Sequence, residues 1–330
     1  MLGGAGMVGQ KLAQSIASSG LGDVSIRELI LHDIVEARPV SADFTVRTLI
    51  GNIADNTEAT RLAALEADII FHLAAIVSGE AETDFEKGWN TNARGSWQFL
   101  EALKQTHEAS GGRYRPRLVF TSSIAVFGGP YPEKIGDEFL SAPQSSYGAQ
   151  KAVTELLVSD YSRKGFINGI SIRLPTVVVR PGKANLAASS FFSGIIREPL
   201  NGKEALLPVD TDVRHWHVSP RTAVGFLTHA ATLDTSLLQG RIAINMPGIS
   251  CTVGEQIEAL RSIAGEEAVR LIKREPDELV IRLVSGWPRD FDPQRALALG
   301  FRADKSFEDI IRVYIEDDLD KSGRLVRATQ

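Results

Sequence analysis

The chain has a single cysteine, Cys251, among 330 residues. An internal disulfide is excluded, and so is a zinc site built on several thiolates. No window approaches the ~18 uncharged apolar residues that a membrane-spanning helix needs, so no membrane partner is expected. The N-terminus lacks a basic stretch followed by an apolar one, so no secretory leader is expected either. Basic tracts are missing. Lys and Arg number 36 against 41 Asp and Glu, a net charge of −5, which argues against a nucleic-acid partner. A reducing cytoplasm suits these features. What is present is ordinary globular material. With 43% hydrophobic and 23% charged residues, the chain can build a large core and does not read as disordered. At roughly 150 residues per domain, about two domains are expected.

The first half alternates short apolar runs with amphipathic stretches. Leu29–Leu31, Phe44–Ile50, Ile69–Leu73, Leu118–Phe120 and Ile170–Leu174 read as buried strands. Helical patterns lie near 7–19, 57–66, 84–107 and 146–164, with Trp89 and Trp97 expected to pack on the face of the third. Such alternation predicts a parallel sheet with helices on both faces. Pro175, Pro181, Gly182, Pro199, Gly202 and Pro208 interrupt the second half. Ser219-Pro220 starts a helix there, with Ser as cap and Pro at the first helical position. Arg241–Asn245 reads as another strand, and 306–319 as a final helix. The expected architecture is α/β: a Rossmann-type, doubly wound parallel sheet over 1–175. A smaller mixed α/β substrate domain is expected over 176–330, with 220–246 returning to the first domain.

Gly3, Gly6 and Gly9 form a Gly-x-x-Gly-x-x-Gly loop that runs directly into a helical pattern. Glycines let the backbone approach a pyrophosphate, while Met7 and Val8 open a helix whose free amides and dipole favour an anion. Asp33 ends the following strand, where a carboxylate can bind both adenosine ribose hydroxyls and repel a 2′-phosphate, favouring NAD over NADP. Such a fold calls for a strand of about five residues ahead of the loop. Only Met1 and Leu2 stand there. The central strand is therefore expected to be largely missing, as in a chain that starts late.

Tyr147 and Lys151 lie four apart and share one helix face. An ammonium beside a phenol stabilises the phenolate, making Tyr147 a candidate general base. Upstream, the strand through Phe120 ends in Thr121, Ser122 and Ser123. Hydroxyls at the carboxyl end of a parallel strand stand where such sheets hold ligands.

Together these residues resemble the extended short-chain dehydrogenases/reductases, which include NAD-dependent sugar epimerases, dehydratases and dehydrogenases. The glycine loop, Asp33, Phe71–Ala75, Asn90–Ser96, Thr121–Ser123 and Tyr147-x-x-x-Lys151 follow that family's order. The resemblance implies that Ser123 orients the substrate oxygen and that Tyr147 moves its proton. It implies that Lys151 holds the nicotinamide ribose and that Asn92 supports the relay helix. Leu73, Ala74, Ala75, Asn52 and Ile53 would line NAD, with Pro175 and Val177 beside the nicotinamide. Two residues depart from the family pattern: Asn52 stands where Asp is usual, and Phe127 where Tyr is usual. The family also implies a homodimer through the helices near 84–107 and 146–164.

The run Leu174–Lys183, the segments Ala187–Phe192 and Ile195–Leu200, and Gly286-Trp287-Pro288 resemble the D-erythronate dehydrogenase branch of this family. The resemblance implies oxidation of the 2-hydroxyl of a four-carbon sugar acid. Its carboxylate needs donors, and Arg180, Lys183, Arg214 and His217 are candidates, since arginine offers a bidentate fork. His215 and His217 lack the carboxylate or thiolate that would complete a metal site, so no metal is expected. The nearest alternative is a nucleotide-sugar 4-epimerase. Dehydration is disfavoured because Ile124, not an acid, follows Ser123. A non-catalytic NAD-sensing module is disfavoured because Tyr147 and Lys151 are both retained.

Overall fold

The apolar runs of the first half pair side by side; Arg117–Ser123 and Asn168–Leu174 are buried on both faces, whereas Thr45–Ile50 stays half-buried or exposed throughout. A computed structural model describes residues 1–182 and 189–319. In its first unit (1–127, 140–174 and 224–246), strands Glu28–Asp33 and Thr45–Ile50 pair in parallel. Strands Ile69–His72, Arg117–Ser123, Asn168–Leu174 and Ala243–Asn245 form a second parallel set in that spatial order. Met1 and Leu2 join the two sets. Leu2 N donates to Phe71 O at 2.8 Å, and Leu73 N donates to Leu2 O at 2.9 Å. On the other side His32 N donates to Met1 O at 2.9 Å, and Gly3 N to His32 O at 2.9 Å. Two residues thus take the central position that was expected to be largely missing.

Strand order runs one way from Leu2 to Glu28–Asp33 and Thr45–Ile50, and the other way from Leu2 to Ile69–His72. The reversal is the switch point at which doubly wound sheets hold ligands, outside the carboxyl ends of their strands. Gly3 follows Leu2 there, and Leu73 follows Ile69–His72.

Helix Met7–Ser19 buries Leu12, Ala13 and Ile16, the helical spacing of one apolar stripe. The single helix expected near 84–107 is broken into Phe85–Gly88, a π-helical turn Trp89–Gly95 and helix Ser96–Ala109. Trp97 does not pack as expected: it is 47% exposed, and Phe99, Leu100 and Leu103 carry the buried face instead. No helix among the described residues is long and apolar enough to cross a membrane.

The second unit comprises 128–139, 175–223 and 247–330. Segment 128–139 belongs to it, where the sequence suggested the first domain, because Ile135–Gly136 pairs with Phe291–Asp292. Its three-stranded sheet has Arg214–Val218 at the centre, parallel to Thr176–Val177 and antiparallel to Ile249–Thr252. Helices Ser190–Leu200, Val253–Val269 and Phe307–Asp318 cover a core that includes Phe192, Ile195, Leu260, Ile310 and Tyr314.

Candidate cofactor and proton-relay site

At the switch point lies a cavity of about 770 Å³. Gly3, Gly6, Asp33, Asn52, Ile53, Leu73, Ala74 and Ala75 line it. The glycine turn fits because it is crowded. A Cβ at Gly9 would collide with Gly3 O, so the first helical turn can fold onto the loop only with no side chain at that position. Gly6, which caps helix Met7–Ser19 without a side-chain hydrogen bond, is exposed. The helix carries no acid in its first turn, which leaves the positive end of its dipole available to an anion.

Asp33 is fixed on the wall of this cavity. Its Oδ2 accepts from Ala5 N at 2.9 Å and its Oδ1 from Ile34 N at 2.7 Å. Carboxylate oxygens hold about four acceptor sites, so both retain capacity for ribose hydroxyls. Asn52, which departs from the family pattern, folds its side chain onto its own turn, accepting from Ala54 N at 3.0 Å. The cavity also includes Ile34, Val35, Gly51, Ile76, Asn90, Arg94 and Gln98, which sequence reading passed over. The motif Asn90–Ser96 was in view, but only Asn92 was singled out of it.

Asn92 ties the π-helical turn to the segment that follows strand Ile69–His72 and to helix Ser146–Arg163. Its Oδ1 accepts from Ile76 N at 2.7 Å, and its Nδ2 donates to Ile76 O at 3.0 Å and to Gln150 Oε1 at 2.7 Å. Its carbonyl accepts from Ser96 Oγ at 2.7 Å and from Thr154 Oγ1 at 3.0 Å. Helix Ser146–Arg163 starts at Ser145, whose Oγ accepts from Gly148 N at 3.1 Å. A Cβ at Gly148 would collide with Ala125 O, so the helix start presses against the turn that follows strand Arg117–Ser123. Ser123 Oγ caps that turn, accepting from Ala125 N at 3.1 Å.

Lys151 lies beneath. Its Nζ donates to Thr121 O at 2.8 Å and stands 5.6 Å from the Tyr147 ring centroid and 4.7 Å from that of Phe120. Burial lowers its pKa to about 7, opposed by the charge of Glu155. In its charged form this lysine places a cation next to a phenol where water screens it little. The same unit thus carries a helix start free of acids, a carboxylate with spare acceptor capacity and a phenol–ammonium pair.

The remaining expected residues belong to the second unit. Thr176–Val177 pairs with the central strand there, after Pro175. Arg180 Nε donates to Val177 O at 3.0 Å and its Nη2 to Ser189 Oγ at 2.7 Å. Lys183 lies outside the described residues. Arg214 donates to Ser250 O at 3.1 Å and pairs with Glu255 at 3.2 Å. Glu255 in turn closes the capping box of helix Val253–Val269. His217 is 0% exposed, accepts from Gln256 Nε2 at 2.9 Å, and is held neutral by burial. Arg214 and His217, expected as donors to a carboxylate, thus stand on a central strand whose residues after Arg214 are buried. His215 and His217 point into its core, stacked or edge-on to Phe192.

The model of the NAD dependent epimerase/dehydratase family matches residues 1–230. D-erythronate dehydrogenases of Haemophilus influenzae and Cupriavidus necator are each 43% identical to this chain. They cover 96% of it, and it covers 98% and 97% of theirs. A crystal structure described as a nucleoside-diphosphate-sugar epimerase from Agrobacterium tumefaciens is 52% identical, with a TM-score of 0.93 over 96% of this chain and 92% of that one. The Thermus thermophilus UDP-glucose 4-epimerase solved with NAD shares the fold, with a TM-score of 0.76 at 20% identity over 96% of each chain. The family match gives the cofactor, NAD, and the chain belongs to the NAD-dependent epimerase/dehydratase family.

Proposed function

We propose that this protein is an NAD-dependent dehydrogenase that oxidises the 2-hydroxyl of D-erythronate, or of a close four-carbon sugar acid, to the 2-oxo acid. The observation that carries this reading is the similarity to two D-erythronate dehydrogenases over nearly the full length of all three chains. NAD, when bound, supplies the hydride acceptor. In this reading the chain handles the proton. Ser123 Oγ donates to the substrate oxygen and holds it, and Tyr147 takes the hydroxyl proton as general base. The buried Lys151 ammonium stabilises the phenolate. Asn92 positions the relay by fixing the start of helix Ser146–Arg163 through Gln150. The reaction belongs in the cytoplasm, where a lone buried thiol such as Cys251 stays reduced. Two copies associate through helices Ser96–Ala109 and Ser146–Arg163, whose exposed Trp97 and Leu156 are apolar side chains that a second copy would cover.

A nucleotide-sugar epimerase is the second reading, favoured by the description of the Agrobacterium structure. An epimerase regenerates its cofactor, so net reduction of NAD separates the two. D-erythronate is expected to give rising absorbance at the reduced-nicotinamide band, and UDP-sugars none. Interconversion of UDP-sugars without net NADH would replace this reading with the epimerase one. Tyr147→Phe should lower kcat roughly 10²–10⁴-fold while NADH binding stays near wild type. A Phe variant that keeps most of its activity would remove Tyr147 from the mechanism. Sedimentation of Leu156→Glu as a monomer, against a wild-type dimer, tests the association.

A further inference from the structure

Arg94 and Gln98 have no part in the proton relay, yet both line the cofactor cavity. Arg94 lies in the π-helical turn, and Gln98 follows four residues later on helix Ser96–Ala109. Arg94 is exposed, and among the described residues its guanidinium forms no hydrogen bond or ion pair. Lys87, the other side-chain ammonium or guanidinium on this cavity wall, is taken by Glu80 at 2.6 Å. Gln98 Oε1 is buried without a hydrogen-bond partner. This cavity therefore holds an uncommitted planar cation and an uncommitted acceptor.

Packing decides which end of NAD they face. A Cβ at Gly95 would stand 3.0 Å from Ile53 O and 3.2 Å from Ala54 Cα, so the turn that carries Arg94 lies directly on 52–54. Gly51 N donates to Asp33 O at 2.9 Å, which ties that segment to the ribose carboxylate. Arg94 thus belongs to the adenosine end, whereas the pyrophosphate is met at the glycine turn. Ile34 and Val35, 65% and 58% exposed, bring apolar side chains to the same cavity. We infer that Arg94 is an adenine-binding residue, its guanidinium packing on the purine of NAD with Ile34 and Val35 completing the wall. Guanidinium groups are weakly hydrated and stack on aromatic planes, which suits this site. A 2′-phosphate is the other ligand such a cation could take. Asp33 opposes it, because both its oxygens are anchored to backbone amides and the carboxylate cannot swing aside without breaking them.

The inference rests on NAD occupying the cavity and does not depend on which hydroxyl is oxidised. It is tested by calorimetry with 5′-AMP, ADP, NADH and NADPH on the wild type, Arg94→Ala, Arg94→Lys and Arg94→Trp. Arg94→Ala is expected to weaken AMP, ADP and NADH by a common factor of roughly three to thirty. The melting temperature of the unliganded protein should not change, because Arg94 is exposed and unpartnered. Trp should restore affinity by keeping a plane without charge, and Lys should not. Rescue by Lys but not by Trp would make Arg94 a phosphate contact and overturn the inference. So would a larger loss for NADPH than for NADH, or AMP and NADH affinities that do not change.

Discussion

Lys151 Nζ donates to the carbonyl of Thr121 at 2.8 Å, so the ammonium is bound to the strand whose end carries Ser123. The bond fixes the cation beneath Tyr147 before any ligand arrives. It also means that the lysine is charged at a cost, because burial lowers its pKa from 10.5 to about 7. The unfolded chain binds this proton more tightly than the folded one between those values, so folding stability should rise with pH from about 7 to about 10.5. Lys151→Met should remove this group's contribution to the rise. Melting temperatures at pH 7 and pH 9 for both proteins check it; an identical pH slope would show that Lys151 titrates normally in the fold. In turnover the same variant should move the rate-versus-pH curve upward, since the Tyr147 phenol loses its neighbouring cation.

The glycine loop separates folding from binding. Gly9→Ala meets Gly3 O at a distance no methyl can keep, so the loop must open, and both melting temperature and NADH affinity should fall. Gly6 is different: the nearest atom to an added Cβ is Gly3 O at 3.5 Å. Gly6→Ala should leave the melting temperature within about a degree of wild type and still weaken NADH, because the methyl projects where the pyrophosphate approaches. Measuring both quantities for both variants tests the assignment. Unchanged affinity in Gly6→Ala would move the phosphate elsewhere.

Much of this site is legible in the sequence because its chemistry depends on local spacing. Gly3-x-x-Gly6-x-x-Gly9 and Tyr147-x-x-x-Lys151 each lie within one turn-and-helix unit, and Asp33 is fixed by the strand it ends. What was not legible depends on contacts distant in the chain. Two residues before Gly3 looked too short for a strand, yet pairing on both sides at once gives Met1 and Leu2 their place. The segment 84–107 has an apolar pattern that runs through the π-helical turn, so periodicity alone does not reveal that Asn92 breaks the register to reach Ile76 and Gln150. Arg214 and the ring nitrogens of His215 and His217 suggest open donors in the sequence because their partners lie far off in the chain. Gln256, Glu255 and Pro288, all remote in sequence, take those groups up.

In the proposed site Asp33 would favour NAD twice, by accepting ribose hydroxyls and by repelling a 2′-phosphate. Asp33→Ser should therefore weaken NADH and strengthen NADPH, so that the ratio of their dissociation constants shifts toward NADPH by at least about tenfold. Titration of each by fluorescence gives the ratio. A wild-type protein that already prefers NADPH would contradict the assignment without any variant. The variant also loses the carboxylate that anchors Ala5 N and Ile34 N, so some loss of NADH affinity should come from a looser loop.

Glu155 is buried on the relay helix, one turn beyond Lys151. It accepts from Ser122 Oγ at 2.5 Å and from Arg173 Nε and Nη2 at 2.9 and 2.7 Å. Arg173 also reaches Asn245 Oδ1 at 3.2 Å and stands 4.9 Å from the Phe127 ring centroid. Three strand ends and the relay helix therefore share one charge pair. Breaking it from one side leaves a mostly buried guanidinium without its anion, a change that typically costs about 3–5 kcal/mol. Glu155→Gln keeps the shape and removes the charge, so it should lower stability by an amount of that order in urea denaturation. Replacing both partners, as in Glu155→Gln with Arg173→Met, should recover much of the loss, since an apolar side chain leaves no charge to satisfy. The charge of Glu155 also opposes the downward shift of Lys151. Both variants should therefore lower the upper pH limit at which the lysine stays cationic, and the double variant should show this without the instability. A double variant as unstable as the single one, or with a wild-type pH profile, would show that Glu155 packs the helix and does nothing for Lys151.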